Sequence, residues 1–242
     1  MSLPRSVAVA SRVLEVHGLD IAMRVVGAGE PLLLMNGMTR PLQSWESFTH
    51  ELPGRTIISF DAPGVGASPT PLAPLSIPAL AALAVKVLDA AGLDEADVLG
   101  FSHGGAVAQQ LAADVPSKVR RLVLVATSCG AGATPSRGRA VLRALGTPGD
   151  HSWPSADPWG LLWQSLAFSS WSSIPILGAI AAPTLVVCGT HDRIVPPANG
   201  RVLAGRIPDA SFVLLPGGHD LQRPEPARAL ARRVEEFLSL PA

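Results

Sequence analysis

Short apolar runs recur along most of the chain, separated by longer stretches in which apolar residues are spaced as on one face of a helix. The runs predict buried strands over residues 32–35, 56–60, 97–99, 122–126, 184–188 and 212–215. The intervening spacing predicts helices over residues 42–52, 77–91, 105–114, 198–206 and 226–238, the last with Pro226 in its first turn, where a missing N–H costs nothing. Before these, residues 13–16 and 21–26 alternate around His17-Gly18-Leu19-Asp20 and read as an antiparallel hairpin. Strands alternating with helices imply a mostly parallel sheet covered on both faces. The expected architecture is therefore an α/β domain spanning residues 1–242 around an eight-stranded sheet.

One region interrupts the alternation. Residues 131–182 hold four of the five tryptophans, Trp153, Trp159, Trp163 and Trp171, among many Pro, Ser and Gly residues. This reads as a short cap inserted between two strands. Indoles in such a cap either wall a substrate cleft or anchor an irregular segment to the body, and both readings stay open. Trp45 lies outside this region and is expected in the core.

Composition narrows the class. With 48% hydrophobic residues, a chain of 242 residues can bury a substantial core. The 19 Lys+Arg balance 19 Asp+Glu, which removes any broad electrostatic case for a nucleic-acid partner. The densest basic pairs, Arg120-Arg121 and Arg232-Arg233, read as solvated helix ends or faces. Cys129 and Cys188 are too few for a disulfide framework and are expected as buried thiols. No run approaches the roughly 20 apolar residues of a membrane span, so a soluble, cytoplasmic protein is expected. Nothing bears on oligomeric state.

The chemistry concentrates at Gly100-Phe101-Ser102-His103-Gly104, which fits Gly-x-Ser-x-Gly between the run Ala96-Asp97-Val98-Leu99 and a helix. A serine on so sharp a strand-to-helix turn adopts a strained backbone and crowds the residues two before and two after it. Ser102 is the expected nucleophile. A serine hydroxyl needs a base, and the base needs a carboxylate to fix its tautomer. His219, after Pro216-Gly217-Gly218, follows a late strand and is the expected base. Asp192, directly after the strand over residues 184–188, is the expected acid, in the serine, acid, histidine order that accompanies this turn. An Asx turn that merely shapes its own loop is the other reading of Asp192.

Other residues are set aside for stated reasons. His17 and His50 read as structural or exposed, His151 as a cap residue at most touching substrate, and His191 as shaping the loop beside Asp192. Asp220 would have to fold back on its neighbour His219, and Asp61 reads as tying down backbone N–H groups of its own loop. The oxyanion of an acyl-transfer intermediate needs two donors. The backbone N–H groups of His103 and of Met38, in the loop Asn36-Gly37-Met38, are the expected pair. No nucleotide-binding glycine motif and no metal-ligand spacing is present, so no cofactor and no metal are expected.

With these parts in this order, the chain resembles the α/β-hydrolase superfamily over nearly its whole length. Within it the chain is similar to intracellular medium-chain polyhydroxyalkanoate depolymerases. The similarity lies in Pro31-Leu-Leu-Leu-Met-Asn-Gly37, Asp61-Ala-Pro-Gly-Val-Gly66, Gly104-Gly-Ala-Val-Ala-Gln-Gln110, Ser172-Ser-Ile-Pro-Ile-Leu177 and Arg206-Ile-Pro-Asp-Ala210. The resemblance implies Ser102, Asp192 and His219 as a catalytic triad and a small or polymeric aliphatic ester as substrate. Two departures stand out: His103 replaces a tryptophan usual after the nucleophile, and the cap is shorter. The expected function is a serine ester hydrolase working through an acyl-enzyme. The same triad also serves enol-lactone opening, carbon–carbon bond hydrolysis and perhydrolysis, and the same scaffold serves noncatalytic binding.

Overall fold

The computed structural model describes residues 10–16, 18–135 and 157–241. The expectations placed on His17, His151 and Trp153 lie outside them. Strands β1 (Ala10–Val16), β2 (Leu19–Gly27), β3 (Glu30–Met35), β4 (Arg55–Phe60), β5 (Ala96–Phe101), β6 (Val119–Val125), β7 (Thr184–Gly189) and β8 (Ala210–Leu215) form one sheet in the order β1-β2-β4-β3-β5-β6-β7-β8. The hairpin of β1 and β2 is antiparallel, β2 pairs antiparallel with β4, and every other pairing is parallel. All six residues of β5 and of β7 are buried, as expected of strands covered on both sides.

Alternation along β3 shows the two layers directly. Leu33 and Met35 face one apolar cluster, with helices α2 (Ile77–Ala90), α3 (His103–Asp114) and α5 (Pro197–Ala204) contributing Leu80, Leu111 and Leu203. Leu32 and Leu34 face the other, with Trp45, with Phe48 of the short α1 (Glu46–Thr49), and with Leu230 and Val234 of α6 (Pro224–Leu238). The apolar stripe of α6 runs Ala227, Leu230, Ala231, Val234, Leu238, the spacing of one helix face laid on a sheet. Trp45 is buried in this layer, as expected, and helix α4 (Pro158–Ser169) lies in the stretch between β6 and β7.

Four local expectations need correction. The helix expected over residues 42–52 is a 3₁₀ turn, Leu42–Trp45, followed by the four residues of α1, after which the chain tightens into i+3 bonds, Glu51 N–H to Phe48 at 3.2 Å and Leu52 N–H to Thr49 at 3.0 Å, ahead of Pro53. Pro224, not Pro226, opens α6, and α3 starts at His103, immediately after the serine. Arg120 and Arg121 are not on a solvated helix. They lie in β6, where Arg121 is buried and donates to the Leu240 carbonyl, and Arg120 binds both oxygens of Asp97 at 2.9 and 2.8 Å. Arg232 and Arg233 do lie exposed on α6.

Asp97 is fully buried at the start of β5, where Arg55 also donates to it at 3.0 Å. Arg55 in turn holds Glu235 of α6 through two bonds of 2.9 Å. The Arg55 guanidinium keeps the Glu235 carboxyl below its usual pKa. A depressed carboxyl stabilises the fold above its unfolded pKa, and that contribution is lost as pH falls through the folded value. This ionic knot sits at the opposite end of β5 from Ser102, and removing its central charge leaves two guanidiniums short of a partner. Asp97→Asn is expected to destabilise the protein by about 3–5 kcal/mol in urea denaturation; a loss below about 1 kcal/mol would mean that the knot is dispensable.

Candidate active site

The strand order doubles back at β3: β4 lies on one side of it and β5 on the other. The connections from β3 and β5 therefore lead to opposite sides of the sheet, and the carboxyl ends of these strands mark the edge where sheets of this type gather functional groups. The loop after β3 carries Asn36, Gly37 and Met38, and the turn after β5 carries Ser102. A Cβ placed on Gly37 would lie 3.4 Å from Cβ of Ser102 and 2.9 Å from the Phe101 ring, so the two loops are in contact.

Ser102 has φ 53° and ψ −116°, outside the regions that L-residues favour. Both of its backbone polar groups are engaged. Its N–H donates to the Val125 carbonyl at 2.9 Å, and its carbonyl accepts from Gly105 N–H at 2.9 Å and from Thr127 Oγ1 at 2.7 Å. A Cβ on Gly100 would come within 2.5 Å of the Gly104 carbonyl, and one on Gly104 within 2.3 Å of the Met35 carbonyl. The two glycines of the motif are steric requirements of the turn.

His219 Nε2 lies 3.1 Å from Ser102 Oγ, and its Nδ1 lies 2.8 Å from Asp192 Oδ2. Asp192 is buried, and its other oxygen accepts the N–H groups of Ile194 and Val195 at 2.9 and 2.8 Å. Asp192 thus divides its oxygens: one shapes its own loop, as an Asx turn would, and the other lies against the imidazole. The loops after β7 and β8 are laced together by Thr190 N–H to Leu215 and His191 N–H to Gly217, which brings Asp192 and His219 side by side. Phe101 supports the imidazole with ring centroids 5.1 Å apart.

The remaining candidates fall as expected from their surroundings. Asp220 binds Arg40 and, at 3.4 Å, Arg223 rather than His219. Asp61 accepts the Leu42 and Ala67 N–H groups, and its burial pushes its pKa up despite them. His50 is exposed, and exposed His191 sits with its Nδ1 2.9 Å from Thr190 Oγ1. Both cysteines are buried free thiols, with Cys188 pushed up to about 12 by burial. The Met38 and His103 amides donate to no protein acceptor among the described residues. Nor, among those residues, do three or more His, Cys, Asp or Glu side chains cluster as a metal site would need, and no helix is long and apolar enough to cross a membrane.

A family model for the alpha/beta hydrolase fold matches residues 30–145 and 150–226. The chain belongs to this family. It is similar to a poly(3-hydroxyalkanoate) depolymerase of Ectopseudomonas oleovorans, 36% identical over 239 residues, with 86% of this chain and 84% of the relative covered. Among solved structures, a hydrolase from Pseudomonas aeruginosa PA01 superposes with TM-score 0.82 at 25% identity over 98% of this chain and 100% of that one. The enol-lactonase of Burkholderia xenovorans LB400 has the same fold, with TM-score 0.82 at 24% identity over 94% and 100%.

In this alpha/beta hydrolase several supporting residues carry no sequence signal. Asn36 Oδ1 accepts from Ser44 Oγ at 3.1 Å and from Gln222 Nε2 at 3.0 Å, while its Nδ2 donates to Pro41. It fastens the loop after β3 to the segment following His219. Arg40 stacks over the Phe101 ring, 5.5 Å from its centroid. Such ties form between residues far apart in the chain, and no local spacing announces them.

The His103 ring is buried against Phe168 of α4, ring centroids 6.1 Å apart, with Nε2 unpartnered among the described residues. Burial pushes its pKa down to about 4 from 6.5. Protonation therefore favours the unfolded chain, so stability present above pH 6.5 is lost as pH falls toward 4. His103→Phe is expected to flatten this slope, so that between pH 7 and 4.5 the wild type loses about 2–3 kcal/mol more than the variant in urea denaturation. Equal losses would show that the imidazole titrates freely.

Proposed function

We propose that the protein is a serine ester hydrolase in which Ser102, His219 and Asp192 act as nucleophile, base and orienting acid. The observation that carries this is the unbroken hydrogen-bonded series from Ser102 Oγ through His219 to Asp192. Ser102 Oγ attacks the ester carbonyl carbon while His219 Nε2 takes its proton, and Asp192 steadies the resulting imidazolium through Nδ1–H. The charge on the carbonyl oxygen is met by the backbone N–H groups of Met38 and His103. A donor of this kind is worth roughly 3 kcal/mol of transition-state stabilisation. The imidazolium then protonates the leaving alkoxide, giving an acyl-serine and a free alcohol. In the second half, His219 removes a proton from water, the hydroxide attacks the acyl carbon, and the acid departs as Ser102 regains its proton.

Similarity to the Ectopseudomonas oleovorans depolymerase favours an aliphatic hydroxyacyl ester, as polymer or as a shorter ester, for the substrate. In this reading the stretch between β6 and β7 acts as a short cap. Trp163 is half-buried there with its indole N–H on the Pro71 carbonyl at 3.0 Å, and Trp171 is buried with its indole on Gln110 at 2.7 Å, which marks both as anchors. Trp159 is exposed.

Purified protein is expected to hydrolyse p-nitrophenyl esters of graded acyl length and to release hydroxy acids from a medium-chain polyhydroxyalkanoate suspension. Ser102→Ala is expected to lower both rates by at least about a thousandfold. Ester hydrolysis that persists in the pure Ser102→Ala protein would defeat the proposal.

A further inference from the structure

The turn that carries Met38 contains the residue Thr39 at φ 61°. Threonine is β-branched, and a positive φ is a genuine outlier for such a residue, so its surroundings must hold it there. Three bonds meet at this turn. Arg40 N–H closes it onto the Gly37 carbonyl at 3.2 Å, and Thr39 Oγ1 donates to the Met38 carbonyl at 2.6 Å. The third comes from outside: Thr39 N–H donates to Gln164 Oε1 at 2.9 Å, across 125 positions of sequence.

Gln164 is buried on α4, on the face it shares with Gly160 and Ala167. A glutamine there is disfavoured relative to an apolar residue unless its polar end is used. It is also firmly based. The α4 backbone packs against the loop after β4 so closely that a Cβ on Gly160 would lie 2.3 Å from the Gly64 carbonyl. Asp157 at its start accepts from Thr70 Oγ1, and Trp163 donates to Pro71. Ser165, next along the helix, places its hydroxyl 3.5 Å from Met38 Sδ.

We infer that Gln164 is a positioning residue for the oxyanion site: by accepting the Thr39 N–H it holds the Gly37–Arg40 turn in the conformation that directs the Met38 N–H at the reacting carbonyl oxygen. The inference rests on the ester-hydrolase reading. It makes α4 part of the machinery that assembles the site, through the face opposite its exposed residues Trp159, Leu162 and Leu166. Without the Gln164 acceptor the Met38–Thr39 peptide loses the bond that opposes relaxation of Thr39 to negative φ, and the adjoining Gly37–Met38 peptide, which carries the Met38 N–H, is then less firmly aimed.

The test compares Gln164→Met, which keeps the bulk and loses the acceptor, with Gln164→Glu, which keeps an acceptor at the same reach. For p-nitrophenyl ester hydrolysis, Gln164→Met is expected to lower kcat by about 10- to 100-fold with KM changed less than about threefold. Gln164→Glu is expected to retain kcat within about fivefold. Adding Thr39→Gly to Gln164→Met should raise kcat by about threefold or more, because glycine adopts positive φ without strain. Amide hydrogen exchange at Thr39, read by NMR in the full chain, should accelerate at least about tenfold in Gln164→Met and not in Gln164→Glu. If Gln164→Met does not fold, Gln164→Ala carries the same expectations. The inference is overturned if Gln164→Met keeps kcat within about twofold of wild type, if both variants lose it equally, or if Thr39 exchange does not change. Ester turnover that survives Ser102→Ala would instead defeat the underlying reading, while the exchange measurement still reports on the Gln164 bond.

Discussion

A single backbone conformation, Ser102 at φ 53°, is the constraint around which the molecule is arranged. Holding a non-glycine residue there costs about 1–3 kcal/mol, and the surrounding fold must supply it. It does so by engaging both the N–H and the carbonyl of Ser102 with β6, with Thr127 and with the first turn of α3. The lack of side chains at Gly100 and Gly104 lets strand and helix close on each other. β5 itself is anchored at its far end, where buried Asp97 gathers Arg55 and Arg120. The strand is thus fixed at one end by charge and delivers a hydroxyl at the other.

Everything that meets this hydroxyl comes from the carboxyl ends of other parallel strands. β7 and β8 are neighbours in the sheet, and the hydrogen bonds between their loops bring an acid and an imidazole from 27 positions apart into contact. Asp192 divides its two oxygens between its own loop and His219, so the rigidity of the loop and the orientation of the ring have one source. β3, on the other side of β5, contributes a loop that is held from three directions, by Asn36 to Gln222, by Arg40 to Asp220 and by Thr39 to Gln164.

The alternation of apolar runs and helical spacing is sufficient to place the eight strands and their mostly parallel order, because the central strands, covered on both faces, are largely apolar and the first two alternate about a turn. That Ser102, Asp192 and His219 meet is legible for a related reason: each directly follows a strand or its glycine turn, at the same edge of the sheet. What was not legible depends on contacts remote in sequence. Arg120 and Arg121 look like a solvated pair until Asp97 and Leu240 are brought beside them by the sheet. Gln164 looks like any polar helical residue until the loop after β3 is laid against it. The turn after β3 looks self-contained until Asp61, a residue from the next strand's loop, is found holding the Leu42 N–H.

The central claim is that the fold presents Ser102 as an activated nucleophile. Its most direct measurement is mass spectrometry of the folded protein after treatment with a fluorophosphonate. A stoichiometric adduct confined to the peptide containing Ser102, and lost when the protein is first unfolded in urea, is the predicted result. A folded protein that stays unmodified at Ser102 under conditions that saturate a known serine hydrolase would contradict it.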